Sequence, residues 1–401
     1  MKFVFAALCW LSIGLTTASQ SARGAGEVGA WNVRELAQAP ATQPADEWAH
    51  EGVQALFFDG PEFEGKPTRV FAYVGRPTVA AGEKVPGMVL VHGGGGTAFP
   101  EWVKLWTARG YAAIALDTGG NVPAKNKAGR ERHAWAGPVD GGASLALGDK
   151  PPRDQWMYHA VANIMRAHSL LAAQPGVDAR RIGLTGISWG GVLTAAVAGV
   201  DARFAALVPV YGCGFLDESE VFGAQSATAA GASWMKLWDP RHRLARAQAP
   251  MFWVNGTNDR FFQLDSWQRS AGLGAGPTLL RVEPRMGHSH PAGWKPVEIG
   301  VFVDSVLKGG VPLAVFGEVR REGAAVSASV TAQTAMVEAK LHFTQAAGVA
   351  SKWLWAEVPA AWEPARGRVQ ATLPAEARRY FLSVRDVRDC TVTSAVGEVA
   401  R

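Results

Sequence analysis

Three residue types that together perform nucleophilic catalysis lie in this sequence in the order serine, aspartate, histidine. Ser188 sits in Gly186-Ile187-Ser188-Trp189-Gly190-Gly191, between an apolar run, Ile182 to Ile187, and a helical stretch. Glycines two residues either side of a serine let the chain turn sharply from strand to helix, which holds the hydroxyl exposed at the edge of a sheet. A serine hydroxyl is a weak nucleophile unless a base takes its proton, and the base in turn needs an orienting acid. Asp259, in Val254-Asn255-Gly256-Thr257-Asn258-Asp259, follows one apolar run; His288, in Arg285-Met286-Gly287-His288-Ser289-His290, follows the next. All three residues therefore fall at the same end of a sheet, and their chain order is the one this turn type requires. His92-Gly93-Gly94-Gly95-Gly96, directly after the run Met88 to Val91, offers unshielded backbone N–H groups. Gly94 or Gly95, together with the Trp189 N–H at a helix N-terminus, would hold the oxyanion of an attacked carbonyl.

Other residues compete for these roles. His290 is a second candidate for the base. Asp265 falls inside a helical stretch and is a poorer orienter than Asp259. Asp117 also follows a strand but precedes the serine, and reads as a turn-capping or lid-anchoring carboxylate. His133, His159 and His168 have no partner at ligand spacing and read as loop or helix-surface residues. The glycine run lacks the Lys-Ser/Thr of a phosphate loop, since Thr97-Ala98-Phe99 follows. With no Cys/His cluster and no His-Glu-x-x-His pattern, no metal and no cofactor is expected.

The elements that must place these residues alternate. Met88 to Val91, Tyr111 to Leu116, Ile182 to Ile187, Phe204 to Val210, Met251 to Val254 and Thr278 to Val282 are short apolar runs. Helical patterns stand between and after them at Trp102 to Arg109, Gln155 to Ala173, Gly190 to Val200, Phe262 to Ala271 and Val297 to Leu307. Buried strands alternating with helices imply a mostly parallel sheet covered on both faces, with ligands beyond the carboxyl ends of its strands. Val53 to Phe58 and Arg69 to Val74 read as two strands ahead of this series, joined by a turn. Two long insertions, Thr118 to Arg153 and Gly212 to Arg246, fall at the ligand end and have the length of lids or binding loops. Trp189, Trp234, Trp238 and Trp294 are expected near the mouth. After Gly309-Gly310, short alternating runs (Ala324 to Thr331, Val337 to Thr344, Lys352 to Glu357, Arg368 to Leu373, Arg379 to Val387) suggest a small β sandwich.

Composition bounds the rest. The chain has 401 residues, 48% hydrophobic and 19% charged, which excludes a wholly disordered protein. Its net charge of +5 comes from scattered Lys and Arg with no run of like charges, so no nucleic-acid partner is indicated. Met1-Lys2, the apolar Phe3 to Leu15 and Thr16-Thr17-Ala18 read as a secretory signal. No later run reaches the roughly 18 apolar residues of a membrane helix, so a secreted or periplasmic protein free of the membrane is expected after cleavage. Cys213 and Cys390 then remain, and two cysteines so far apart read more readily as buried thiols than as a bridge. The expected divisions are residues 1–18 as signal peptide, 19–50 as a leader arm with a short helix, 51–312 as the catalytic domain and 313–401 as the C-terminal β-sandwich domain.

Ser188 with its glycines, the His92 glycine run, Asp259 and His288 together resemble an α/β-hydrolase. Asp178-x-x-Arg181-Ile182-Gly183-x-Thr185-Gly186-x-Ser188-Trp189-Gly190-Gly191 resembles its dienelactone-hydrolase, acetyl-xylan-esterase and prolyl-oligopeptidase branch. The resemblance covers about Val53 to Lys308. It implies Ser188 as nucleophile, His288 as base and then acid, and Asp259 as the carboxylate that fixes the imidazole tautomer. Dienelactone hydrolases proper use a cysteine nucleophile; the serine here moves the expectation to ordinary ester hydrolysis. The expected activity is that of an exported serine esterase on a small-molecule or polysaccharide ester, with acetyl or aryl esters of plant polysaccharide foremost. A prolyl-oligopeptidase-like serine peptidase and a non-catalytic binding module on the same fold are the alternatives.

Overall fold

A computed structural model describes residues 27–80, 82–124 and 129–399. The expected signal peptide lies outside the described residues. The central sheet begins with three antiparallel strands, β1 (Thr42–Pro44), β2 (Gln54–Asp59) and β3 (Arg69–Gly75). Its core is a parallel series formed by β4 (Val85–Val91), β5 (Ala112–Leu116), β6 (Val177–Ile187), β7 (Ala206–Val210), β8 (Met251–Gly256) and β9 (Thr278–Glu283). Their spatial order is β5-β4-β6-β7-β8-β9, with β3 antiparallel against β5.

Every residue of β4, β5 and β7 is buried, as both-faced burial in a parallel sheet demands. The covering comes from α1 (Pro100–Ala108), α2 (Trp156–Ala172), α3 (Trp189–Ala198), α5 (Leu264–Ala271), α6 (His290–Trp294) and α7 (Val297–Leu307), while α4 (Ala229–Trp238) lies in the second insertion and packs on the turn Gly141–Leu147. Helix α2 is buried on nearly all sides, so His159 and His168 are core residues and not surface ones. The long apolar stretch from Trp156 to Leu171 hides them because an all-round apolar helix has no solvent face to give.

The C-terminal β region holds two antiparallel sheets. One is β10 (Val315–Glu322), β11 (Ala325–Thr331), β15 (Arg368–Thr372) and β14 (Ala361–Glu363), in that spatial order. The other runs β13 (Trp355–Pro359), β12 (Met336–Thr344), β16 (Arg379–Asp386) and β17 (Thr391–Thr393). Thr393 of β17 pairs antiparallel with Leu280 of β9, so this second sheet continues the hydrogen-bonding ladder of the central one. Strand β10 has no counterpart in the sequence reading, since it is largely exposed and shows no buried face. Cys213 and Cys390 are buried free thiols.

The segment ahead of β1 is held tightly, although its composition reads as a polar arm. Its short helix, Val33–Leu36, is capped by the Asn32 side chain and buries Leu36. Trp31 is 1% exposed, stacks parallel to Tyr158 at 6.4 Å, leans on Trp238 at 5.3 Å and donates its indole N–H to the Tyr158 carbonyl. A tryptophan so enclosed contributes as much as any core residue. Trp31→Ala is expected to cost about 3–5 kcal/mol of unfolding free energy in a urea titration, at the scale of aromatic-to-alanine cavities.

Candidate active site

Ser188 is the residue between β6 and α3, with φ 59° and ψ −120°. A non-glycine residue in this region is strained, and such strain persists only where its surroundings hold it. Here Ser188 N–H donates to the Val210 carbonyl at 2.9 Å and its own carbonyl accepts from Val192 N–H at 3.0 Å. The turn also needs backbone on backbone: a Cβ on Gly190 would overlap the Val91 carbonyl oxygen, and one on Gly191 would lie 2.5 Å from that of Val210. The two glycines thus let α3 begin directly against the ends of β4 and β7.

The loops after β8 and β9 bring the two partners. His288 Nε2 lies 2.9 Å from Ser188 Oγ, and His288 Nδ1 lies 2.6 Å from Asp259 Oδ2. A carboxylate only accepts, so Nδ1 carries the proton and Nε2 is free to accept the serine's. The other oxygen of Asp259 accepts from the Phe261 and Phe262 N–H groups at 2.8 and 2.9 Å, which fixes the carboxylate plane. The imidazole packs against Tyr211, stacked with ring centroids 4.6 Å apart, and against Phe261, tilted at 4.7 Å. Burial raises the Tyr211 phenol well above its usual pKa, so it stays protonated and donates to the Gly287 carbonyl at 2.7 Å, tying the histidine loop down.

His290, the rival for the base, makes a different contact. Its Nε2 accepts from Gly93 N–H at 2.8 Å, and its ring packs on Phe99 at 4.6 Å. Burial, with His92 and His288 adding, pushes its pKa down to about 4, so it is the neutral acceptor this bond requires. His92 fastens the same loop as well: its Nδ1 faces the Gly93 carbonyl at 2.7 Å and its Nε2 accepts from Thr118 N–H at 2.9 Å. Arg130 bonds the Gly96 carbonyl and is paired with Asp140, so the first insertion also anchors the glycine run. With Gly93 N–H engaged, Gly94 faces the Trp189 ring and lines the cleft, whereas Gly95 does not. Gly94 N–H and Trp189 N–H form no hydrogen bond among the described residues.

The cleft above Ser188 encloses about 270 Å3 between Gly94, Ile187, Trp189, Phe222, Phe261 and His288. Phe222 and Phe261 are walls that no motif points to; only their proximity to the second insertion and to Asp259 could have raised them. The expected tryptophan mouth reduces to Trp189. Trp234 and Trp238 are fully buried, the first edge-on behind Trp189 and the second bonded to Gln155, because the insertion folds into α4 and packs inward. Trp294 lies behind the site against Phe99 and Trp102. Asp117 does cap a turn, accepting from Gly119 and Asn121 N–H at 2.8 Å each. Asp265 is exposed and pairs with Arg379, remote from the imidazole.

A family model described as acetyl xylan esterase matches residues 31–248, more than half of the chain. The chain belongs to the acetyl xylan esterase family. It is a carboxylic ester hydrolase on the α/β-hydrolase fold. The match takes in the glycine run and Ser188; a second family model, PhoPQ-activated pathogenicity-related protein, matches residues 218–347, where Asp259 and His288 lie. No curated protein matches the sequence. Among solved structures, acetyl xylan esterase from Paenibacillus sp. R4 is similar with 18% identity and a TM-score of 0.51, over 69% of this chain and 92% of that one. Acetyl xylan esterase 1 from Thermoanaerobacterium sp. JW/SL YS485 gives 16% identity and a TM-score of 0.50, over 64% and 86%. These two likenesses concern the fold.

The buried histidines of this family member have a consequence for stability. His159, His168, His290 and His342 are each pushed by burial to about 4. Unfolded histidine binds its proton near 6.5, so between those values the unfolded chain holds more protons than the folded one. The contribution of these histidines to stability then falls as pH drops from about 6.5 toward 4 and is constant below it, where carboxylates held low by their partners, such as Asp178 and Asp386, take over the loss. Urea midpoints measured across that window should decline steadily; a flat profile would contradict neutral histidines in the folded state.

Proposed function

We propose that the chain is an exported serine esterase that removes short acyl groups, acetyl above all, from polysaccharide or small-molecule esters. The observation that carries this reading is the unbroken hydrogen-bonded line from Ser188 through His288 to Asp259 at the floor of a small cleft. Ser188 Oγ attacks the ester carbonyl carbon as its proton passes to His288 Nε2. The oxyanion forms against Gly94 N–H and against Trp189 N–H at the N-terminus of α3, neither of which has a hydrogen-bond partner among the described residues. The tetrahedral centre collapses, the C–O bond to the alcohol breaks, and the leaving alkoxide takes the proton from His288. A water then gives its proton to the same nitrogen and adds to the acyl carbon, the bond from that carbon to Ser188 Oγ breaks, and Oγ takes the proton back from His288 as the carboxylic acid leaves. Asp259 keeps the ring in one tautomer and stabilises the imidazolium.

Cleft size supports the short acyl group. Phe222 and Phe261 line the cleft with Ser188, which offers about 270 Å3 for the acyl chain and the first part of the alcohol. The family description supports a polysaccharide ester as the natural substrate, and the signal read at Met1 to Ala18 supports export of the enzyme to meet it. On this reading residues 51–312 form the catalytic unit and residues 313–401 its β companion.

Initial rates on p-nitrophenyl acetate, p-nitrophenyl butyrate and acetylated xylan test the proposal. Ser188→Ala and His288→Ala should each lose about 10⁴-fold or more in kcat. Phe222→Ala, which opens the cleft wall, should raise the butyrate-to-acetate ratio of kcat/KM. A wild type inert on every ester, or a Ser188→Ala variant as active as wild type, would overturn it.

A further inference from the structure

We propose that the C-terminal β region positions the acid and base loops of this esterase, acting through the carboxamide of Asn258. The inference rests on the Ser188–His288–Asp259 reading above. It starts from the loop joining β12 to β13, which meets the loop after β8. Asn258, the residue directly before Asp259, donates its amide hydrogens to the carbonyls of Ser351 at 3.1 Å and Trp353 at 2.7 Å. Its Oδ1 accepts from the Thr257 hydroxyl at 2.7 Å. The Thr257 hydroxyl oxygen accepts in turn from Arg285 N–H at 2.9 Å. This amide orientation gives every group in the chain a partner, and the reverse would set oxygen against two carbonyls.

The line of bonds thus runs from the C-terminal loop, through the acid loop, into the base loop. Arg285 stands three residues before His288 at φ 56°, a conformation that needs an outside hold. Thr257 N–H adds a bond to the Glu283 carbonyl at 3.0 Å, so both loops leave the sheet already joined. The same C-terminal loop also bonds Glu220 through Ser351 N–H at 3.0 Å and Ser351 Oγ at 2.7 Å, two residues before the cleft wall Phe222. The loop is itself anchored: Trp353 is buried, donates to the Gly348 carbonyl at 3.2 Å and lies under the Arg379 guanidinium at 4.2 Å. Asn258 is a positioning residue, since it touches neither the cleft nor the reacting atoms.

A misplacement of about 1 Å in a catalytic group costs on the order of 100-fold in rate, which sets the expected effect. In the full chain, Asn258→Asp keeps the shape and the bond from Thr257 but turns an oxygen toward the Ser351 and Trp353 carbonyls. Its kcat on p-nitrophenyl acetate should fall about 10- to 100-fold with KM within about twofold. Thr257→Val cuts the same line from the other side and should lose kcat likewise, while Thr257→Ser recovers it; this pair decides the matter if Asn258→Asp does not fold. A readout that needs no substrate is the low-field proton resonance of the His288 to Asp259 hydrogen bond, expected in wild type and lost or broadened in Asn258→Asp and Thr257→Val. Wild-type kcat and an unchanged resonance in both variants would overturn the proposal, as would a rise in KM at unchanged kcat. If wild type hydrolyses no ester, the esterase reading fails, and the resonance alone decides the positioning role: its loss in the variants upholds that role and its persistence overturns it.

Discussion

The structure depends on one sharp turn of backbone. Ser188 holds a left-handed conformation that costs on the order of 1–3 kcal/mol, and Gly190 and Gly191 let the next helix start in contact with two neighbouring strands. Without that approach the helix N-terminus would stand off from the sheet, and the hydroxyl and the Trp189 N–H would no longer face one point. The cost is borne by the parallel strands around it, which are buried on both faces and leave the turn no alternative. Function here is a local strain held in place by a large, uniformly apolar scaffold.

Everything else at the cleft is an arrangement for holding loops. Tyr211 and Phe261 pack on the imidazole, Asp259 is pinned by two backbone N–H groups, and His290 and His92 hold the glycine run at the Gly93 N–H and carbonyl. His290 and His288 show how two neighbouring residues of one type are given different work: one reaches a serine and a carboxylate, the other a backbone N–H in an apolar setting that keeps it neutral. The C-terminal strands enter the same scheme through the ladder that joins β17 to β9 and through the loop that meets Asn258.

Much of this is legible in the sequence, for physical reasons. Period and burial make the parallel strands and α7 plain, and the residues that form the hydrogen-bonded line stand where glycine spacing and strand ends put them. Less visible is whatever depends on long-range packing. The polar look of residues 19–50 hides Trp31, whose partners Tyr158 and Trp238 lie far along the chain. Strand β10 has no buried face to read, and α4 is an amphipathic helix inside what composition presents as a loop. The tryptophans of that helix turn inward because α4 packs on the turn Gly141–Leu147, with Trp234 against Trp189 and Trp238 bonded to Gln155, a fact of tertiary contact that residue type does not carry. Phe222 and Asn258 are ordinary residues until their neighbours are known.

The mechanism requires a covalent bond at Ser188. Rapid acid quench of the full chain during turnover of p-nitrophenyl acetate, followed by peptide mass spectrometry, should find an acetyl group on Ser188, absent in Ser188→Ala. Turnover with no acetyl on Ser188, or with the acetyl on another residue, would contradict it.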